Sequence, residues 1–195
     1  VEGTMDVDTV TSAEGDIYLK AADSILDSND NDDANVIGKN ITLVAITGGI
    51  GDIDNFLDIV AAGVLNATAK DSIYIYEVFG TMDIGVVTSV EGDVYLKAKA
   101  SILDSNDNDD VNVTGKNITL VSIIGSIGTL DNFLDIDSGI SAAGKVDATA
   151  LRSIYLYEEE GDLNVGLISS ITGDIYLKAQ GNITDHYNTD LVNVI

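Results

Sequence analysis

The sequence contains no cysteine, no proline and no tryptophan, and only one arginine, Arg152, and one histidine, His186. Without cysteine there is no disulfide framework, no thiolate nucleophile and no thiolate metal site. The missing proline, set beside 19 glycines, fits a chain of strands and tight turns, because glycine supplies the positive φ angles that corners need. Bases are scarce as well: 9 stand against 33 acids, for a net charge of −24. Nucleic-acid binding needs a basic surface to displace counterions from phosphates, so that class is excluded, and anionic membranes are equally poor partners. Divalent cations are the natural partners of such a surface, although the acids also serve simply to keep an edge-rich protein soluble. No run approaches the roughly 18 apolar residues of a membrane-spanning helix. No secretion-signal pattern is present. Hydrophobic residues nevertheless make up 45% of the chain, which rules out disorder, and 195 residues suffice for one domain with a sizeable core.

What is present is repetition. Gly15-Asp16-Ile17-Tyr18-Leu19-Lys20-Ala21 returns from Gly92 as Gly-Asp-Val-Tyr-Leu-Lys-Ala and from Gly173 as Gly-Asp-Ile-Tyr-Leu-Lys-Ala, at offsets of 77 and then 81 residues. Each copy alternates apolar and polar residues, the pattern of a short half-buried strand, with Ile17, Leu19 and Ala21 inward and Tyr18 and Lys20 outward. The remaining sequence keeps the same offsets, and the difference of four residues lies in one loop, 58–63 against 135–144. The chain begins and ends part-way through a repeat without a polar cap, so residues 1–195 are expected to be a single solenoid segment of a longer repetitive chain. End-to-end stacking through the open strand edges is expected too.

Degenerate copies of the strand motif subdivide each long repeat. Ile17, Ile41, Ile73, Val94, Ile118, Ile154 and Ile175 mark units of 21 to 36 residues, each the size of one coil of a β-solenoid. No segment keeps a helical apolar stripe; the period stays at two. The pattern predicts an all-β parallel β-helix with three coils per 77–81-residue repeat, an inner column running Ile17–Ile41–Ile73–Val94, and an outer column of Tyr18, Thr42, Tyr74, Tyr95, Thr119, Tyr155 and Tyr176. Good strand formers in register explain the outer column, and a sugar-stacking platform is its functional alternative.

The strings Gly-Asp-Ile-Tyr-Leu-Lys-Ala, Ser24-Ile25-Leu26-Asp27, Lys39-Asn40-Ile41-Thr42-Leu43, Asn55-Phe56-Leu57-Asp58-Ile59 and Leu65-Asn66-Ala67-Thr68-Ala69 resemble repeats of very large bacterial exoproteins, similar to the filamentous-haemagglutinin class of adhesins. The resemblance implies a right-handed parallel β-helix and a stalk segment of a secreted or cell-surface bacterial protein; a glycan or a receptor on another cell is a partner only under the alternative reading of a binding module.

One element exceeds strand patterning, the acidic corner 27–35, repeated at 104–112. Oxygen side chains fall at alternate positions, Asp27, Asn29, Asn31, Asp33 and Asn35, and again Asp104, Asn106, Asn108, Asp110 and Asn112. That spacing matches positions 1, 3, 5, 7 and 9 of Asp-rich calcium loops, so Ca²⁺ is the expected cofactor, held by Asp27, Asn29, Asn31 and Asp33 and by Asp104, Asn106, Asn108 and Asp110. Two positions depart from it: Asp32 stands where such loops carry glycine, and Gly38 where they carry a bidentate glutamate. A solvated turn rich in Asx residues is the structural alternative. The third copy, 185–190, has lost most of these oxygens.

An enzyme is not expected. Polysaccharide-cleaving sites need paired carboxylates or a base in a cleft, whereas Arg152 and His186 have no counterparts and the acidic clusters are the repeat itself. Gly48-Gly49-Ile50-Gly51 lacks the lysine of a phosphate loop and reads as a corner. The sequons at Asn40, Asn66, Asn117 and Asn182 lie in strand motifs, where pairing accounts for them. Lys20, Lys97 and Lys178 read as solvated charges against edge pairing. The expected role is a stiff acidic spacer; a binding face for a glycan or receptor is the alternative.

Overall fold

Alternation at period two decides the architecture: every strand must bury one side, and stacked copies of one strand do this by lying parallel on each other. The computed structural model describes every residue except 1, 30, 107, 109, 140–143 and 188–191. No helix occurs among the described residues. The strands of the first half are β1 (Met5–Val7), β2 (Val10–Thr11), β3 (Ile17–Ala21), β4 (Ile25–Asp27), β5 (Val36–Gly38), β6 (Ile41–Ala45), β7 (Leu57–Ala61), β8 (Val64–Ala69), β9 (Ile73–Glu77) and β10 (Met82–Ser89). The second half continues with β11 (Val94–Ala98), β12 (Ile102–Asp104), β13 (Val113–Thr114), β14 (Ile118–Ser122), β15 (Leu134–Asp137), β16 (Val146–Ala150), β17 (Ile154–Glu158), β18 (Leu163–Ser170), β19 (Ile175–Ala179) and β20 (Ile183–Asp185).

The chain visits two parallel sheets in turn. One runs β2-β5-β7-β9-β11-β14-β16-β18-β20 and the other β3-β6-β8-β10-β13-β15-β17-β19, giving a parallel β-helix of about eight turns. At about 4.8 Å per turn the rod is roughly 40 Å long. Inward residues fill the space between the sheets: Ile41, Leu43, Leu65, Ile73, Ile75, Leu96, Ile118, Leu120, Ile154 and Leu156 are all fully buried in one continuous core. As expected from the alternation, Ile17 and Ala21 point in, and Tyr18 and Lys20 point out.

The long repeat does not wind three turns. Ile17 pairs with Ile41, and Ile41 with Leu65, but Ile73 pairs with Val94 and lies in the other sheet. The first copy of the motif (β3) therefore sits on one wall, the second (β11) on the opposite wall and the third (β19) back on the first. Each repeat spans three and a half turns, combining a rise of roughly 17 Å with a half rotation. The expected single inner column divides accordingly into Ile17–Ile41–Leu65 on one wall and Ile73–Val94–Ile118–Val146 on the other. The outer column breaks into Tyr18–Thr42, Tyr74–Tyr95–Thr119 and Tyr155–Tyr176. The marker spacing concealed this because Leu65, a true rung, carries no copy of the full motif.

The acidic corners are loops extruded from a strand. Val7 and Val10 pair with Asp27 and Val36, so residues 28–35 occupy a gap that residues 8–9 span in the turn below. The second corner repeats this, since Ile84 and Val87 pair with Asp104 and Val113. One turn higher a second loop leaves the wall: Ile50 pairs with Ile73 and Leu57 with Ile75, so residues 51–56 bulge where the next turn has only Tyr74. Gly51 opens that loop at φ 65°, where any Cβ would run into the Tyr74 carbonyl, and Gly128 repeats it at φ 64°. The corner predicted at Gly48–Gly51 is this exit.

Candidate functional site

Each lobe, made of an acidic corner and the loop above it, is pinned at its base by one buried asparagine. Asn35 Nδ2 donates to the Val7 carbonyl (3.1 Å), the Asp8 carbonyl (3.2 Å) and Asp27 Oδ1 (2.6 Å), while its Oδ1 accepts from the Asp58 amide (2.9 Å). Asn112 repeats the set with Ile84, Gly85, Asp104 and the Asp135 amide. Asn193 repeats its lower half with Val165, Gly166 and Asp185. The upper loop closes over this base, with Asn55 Nδ2 donating to the Asn29 carbonyl at 3.1 Å.

The alternating oxygens of the corner mostly turn the chain. Asp27 Oδ1 accepts from the Asn29 amide and Asn31 Oδ1 from the Asp33 amide, two successive Asx turns. Asp104 with Asn106 and Asn108 with Asp110 do the same, and Asn108 Nδ2 donates to Asp110 Oδ2 at 3.1 Å. Asp33, Asn106, Asn108 and Asp110 are exposed. Two buried oxygens of the first corner have no donor, Asp27 Oδ2 and Asn29 Oδ1. No group of three or more His, Cys, Asp or Glu side chains able to hold a metal ion occurs among the described residues. Of the third corner, residues 188–190 lie outside the described residues.

Where the lobe overhangs the wall, a cleft of about 340 Å³ opens. Its floor is a ladder of outward residues on three successive strands: Asp58 pairs with Tyr76, and Tyr76 with Lys97. Asn31 and Asp32 from the corner, and Asp54, Asn55 and Phe56 from the upper loop, form the overhang. Phe56 is set by edge contacts with Tyr74 and Tyr95, at ring-centre distances of 5.8 and 4.8 Å. Lys97 Nζ lies 4.0 Å above the Tyr76 ring.

A second cleft, of about 160 Å³, stands half a rotation away on the opposite wall. Seven of the nine residues that line the first cleft have counterparts here: Asn108, Asp131, Asn132, Phe133, Asp135, Tyr157 and Lys178. Here the lysine lies 3.6 Å over the Phe133 ring. Lys97 and Lys178, expected as free solvated charges, are thus cleft residues held by cation–π contact.

Electrostatics single out Asp58. The residue is 3% exposed, and its carboxylate accepts no hydrogen bond among the described residues. Burial raises its pKa to about 7, and the negative charges of Asp32 and Asp27 add to the rise. Just behind the floor sit two wholly buried glutamates. Glu77 accepts from the Ala61, Phe79 and Gly80 amides, and Glu158 from the Ser138 amide and hydroxyl. Burial raises both, Glu158 to about 7, while those donors pull the other way. These were legible in principle: in Ile73-Tyr74-Ile75-Tyr76-Glu77 the glutamate shares the inward parity of the isoleucines.

The sequon asparagines serve the stack. Asn40 Nδ2 donates to Asp16 and its Oδ1 accepts from the Val64 amide, linking three turns; Asn117 does the same with Asp93 and Lys145. His186 meets Asn164 and the Tyr187 ring, away from both clefts. No family model, no curated protein and no solved structure matches this chain.

Proposed function

We propose that the chain is a stiff, acidic spacer within a large secreted or cell-surface bacterial protein, mechanical rather than catalytic in its work. The observation that carries this reading is the continuity of parallel pairing along both walls, carried across register shifts at 84/87 and 146/148, so that every described strand has a paired neighbour. Stability spread over repeated, nearest-neighbour contacts suits a rod that transmits position instead of closing around a substrate. The net charge of −24 keeps such a rod extended and soluble. The resemblance of the repeat strings to those of large exoproteins supports placement outside the cell. In this reading calcium is an external brace. The corners close on their own Asx turns, and Asp27 Oδ2 and Asn29 Oδ1 are the oxygens left for a cation.

Stiffness is testable because the chain has no native cysteine to interfere with labelling. Spin labels at Tyr18→Cys and Tyr176→Cys, both exposed positions, are separated by seven strand spacings along one sheet. Pulsed electron resonance is expected to give one narrow distance near 34 Å, allowing for the label arms. A broad or bimodal distribution would mean a hinge and would refute the spacer.

A further inference from the structure

We propose that Tyr155 and Tyr176 form an oxidative cross-linking site, at which a one-electron oxidant joins two turns of the rod through a dityrosine bond. This goes beyond the spacer reading and stands on separate observations. Tyr155 on β17 and Tyr176 on β19 are directly opposed in the ladder, and their rings lie parallel, with centres 5.1 Å apart and planes inclined by 8°. Stacked contact of this kind is a favoured arrangement of paired aromatics. Here both members are phenols, and the strand pairing holds them together. Two phenoxyl radicals formed in this stack meet without diffusion, so coupling within the chain outruns coupling between chains.

Composition directs an oxidising equivalent to these rings. The chain has no cysteine and no tryptophan, which leaves its 8 tyrosines as the side chains that give up a single electron most readily. Tyr176 is 44% exposed and open to an oxidant, and Tyr155 is stacked on it. The other tyrosines are placed differently. Tyr18 opposes Thr42, Tyr76 opposes Lys97, Tyr157 opposes Lys178, and Tyr187 meets the His186 ring edge-on. Tyr74 and Tyr95 oppose each other, but Phe56 stands edge-on against both. Phe133, the counterpart of Phe56, makes that edge contact with Tyr155 at 5.7 Å and carries the Lys178 ammonium over its own face. In the coupling step each phenol gives one electron to the oxidant and its hydroxyl proton to water. The two radicals join through ring carbons ortho to oxygen, forming one C–C bond, and the hydrogens on those carbons return to the oxygens as the rings regain aromaticity. The protein loses two electrons and two protons in all. The product ties adjacent turns covalently in a chain without disulfides, and it restricts the unfolded state as a disulfide does.

The test is photo-oxidation of the dilute full chain with tris(bipyridine)ruthenium(II) and persulfate, read by dityrosine fluorescence, intact mass and digestion with a protease that cuts before aspartate. The expected product is a monomer lighter by two hydrogens, whose digest joins peptide 147–161 to peptide 174–184 through Tyr155 and Tyr176. Tyr176→Phe keeps a ring of the same shape in the stack, so this variant folds. It is expected to lower the yield of coupled monomer about tenfold or more, whereas Tyr74→Phe is expected to leave that yield unchanged. Absence of the joined peptide overturns the proposal. Coupling that occurs only between chains, or only between Tyr74 and Tyr95, overturns it as well, as does a yield that Tyr176→Phe leaves intact.

Discussion

Buried carboxyl groups set the pH response of this rod. Asp58 and Glu158 titrate near 7 in the fold, against 3.8 and 4.5 as ordinary carboxyls, and Glu77 is raised in the same direction. The folded chain therefore holds protons that the unfolded chain releases, so stability falls as pH rises from about 4 to 7 and stays low above that. Thermal melts are expected to show the transition temperature dropping between pH 5 and 8, with a smaller drop in Asp58→Asn. A transition temperature that rises over this window would contradict the burial of these groups. The glutamates were readable from strand parity. Asp58 was not, because its place in Leu57-Asp58-Ile59 marks it as an outward, solvated residue. Only the overhang, which brings Asn31 and Asp32 of the corner over the neighbouring loop 54–56, takes its water away.

At the scale of the element, the acidic corner is an appendage. The turn below crosses the same gap with two residues, Asp8 and Thr9, where the corner uses 28–35. Replacing 28–35 by Asp-Thr is expected to leave a cooperatively folding rod, destabilised by the loss of the Asn35 clamp at about 1–3 kcal/mol for buried groups left unpaired. A complete loss of folding would make the corner part of the core instead. Calcium acts at this scale too. It is expected to raise the transition temperature of the native chain, at millimolar concentrations typical of extracellular sites, and to leave Asp27→Ala/Asp104→Ala unchanged. A flat calcium titration of the native chain removes the brace. The spacing of acidic oxygens was plain in the sequence; what it could not reveal is that Asx turns consume them. The asparagine clamp was recognisable only in hindsight, as the Asn that follows each corner aspartate by eight residues: Asp27 to Asn35, Asp104 to Asn112 and Asp185 to Asn193.

For the whole molecule, period-two alternation and the 77- and 81-residue offsets were enough to establish an all-strand solenoid. They were not enough to count its turns. Strand identity repeats after an odd number of half-turns, and a sequence carries no label for the wall on which a strand lies. The four extra residues at 135–144 do not disturb this phase, because Asp135 pairs with Tyr157 as Asp58 does with Tyr76. Loops can lengthen without turning the rod.

That odd count gives the molecule a parity. Its two clefts look in opposite directions and are offset by roughly 17 Å along the axis. A single flat surface can reach only one of them. An odd number of half-turns thus deals the two lobes to opposite sides of the rod, so a flat neighbour on either side meets one lobe and not both.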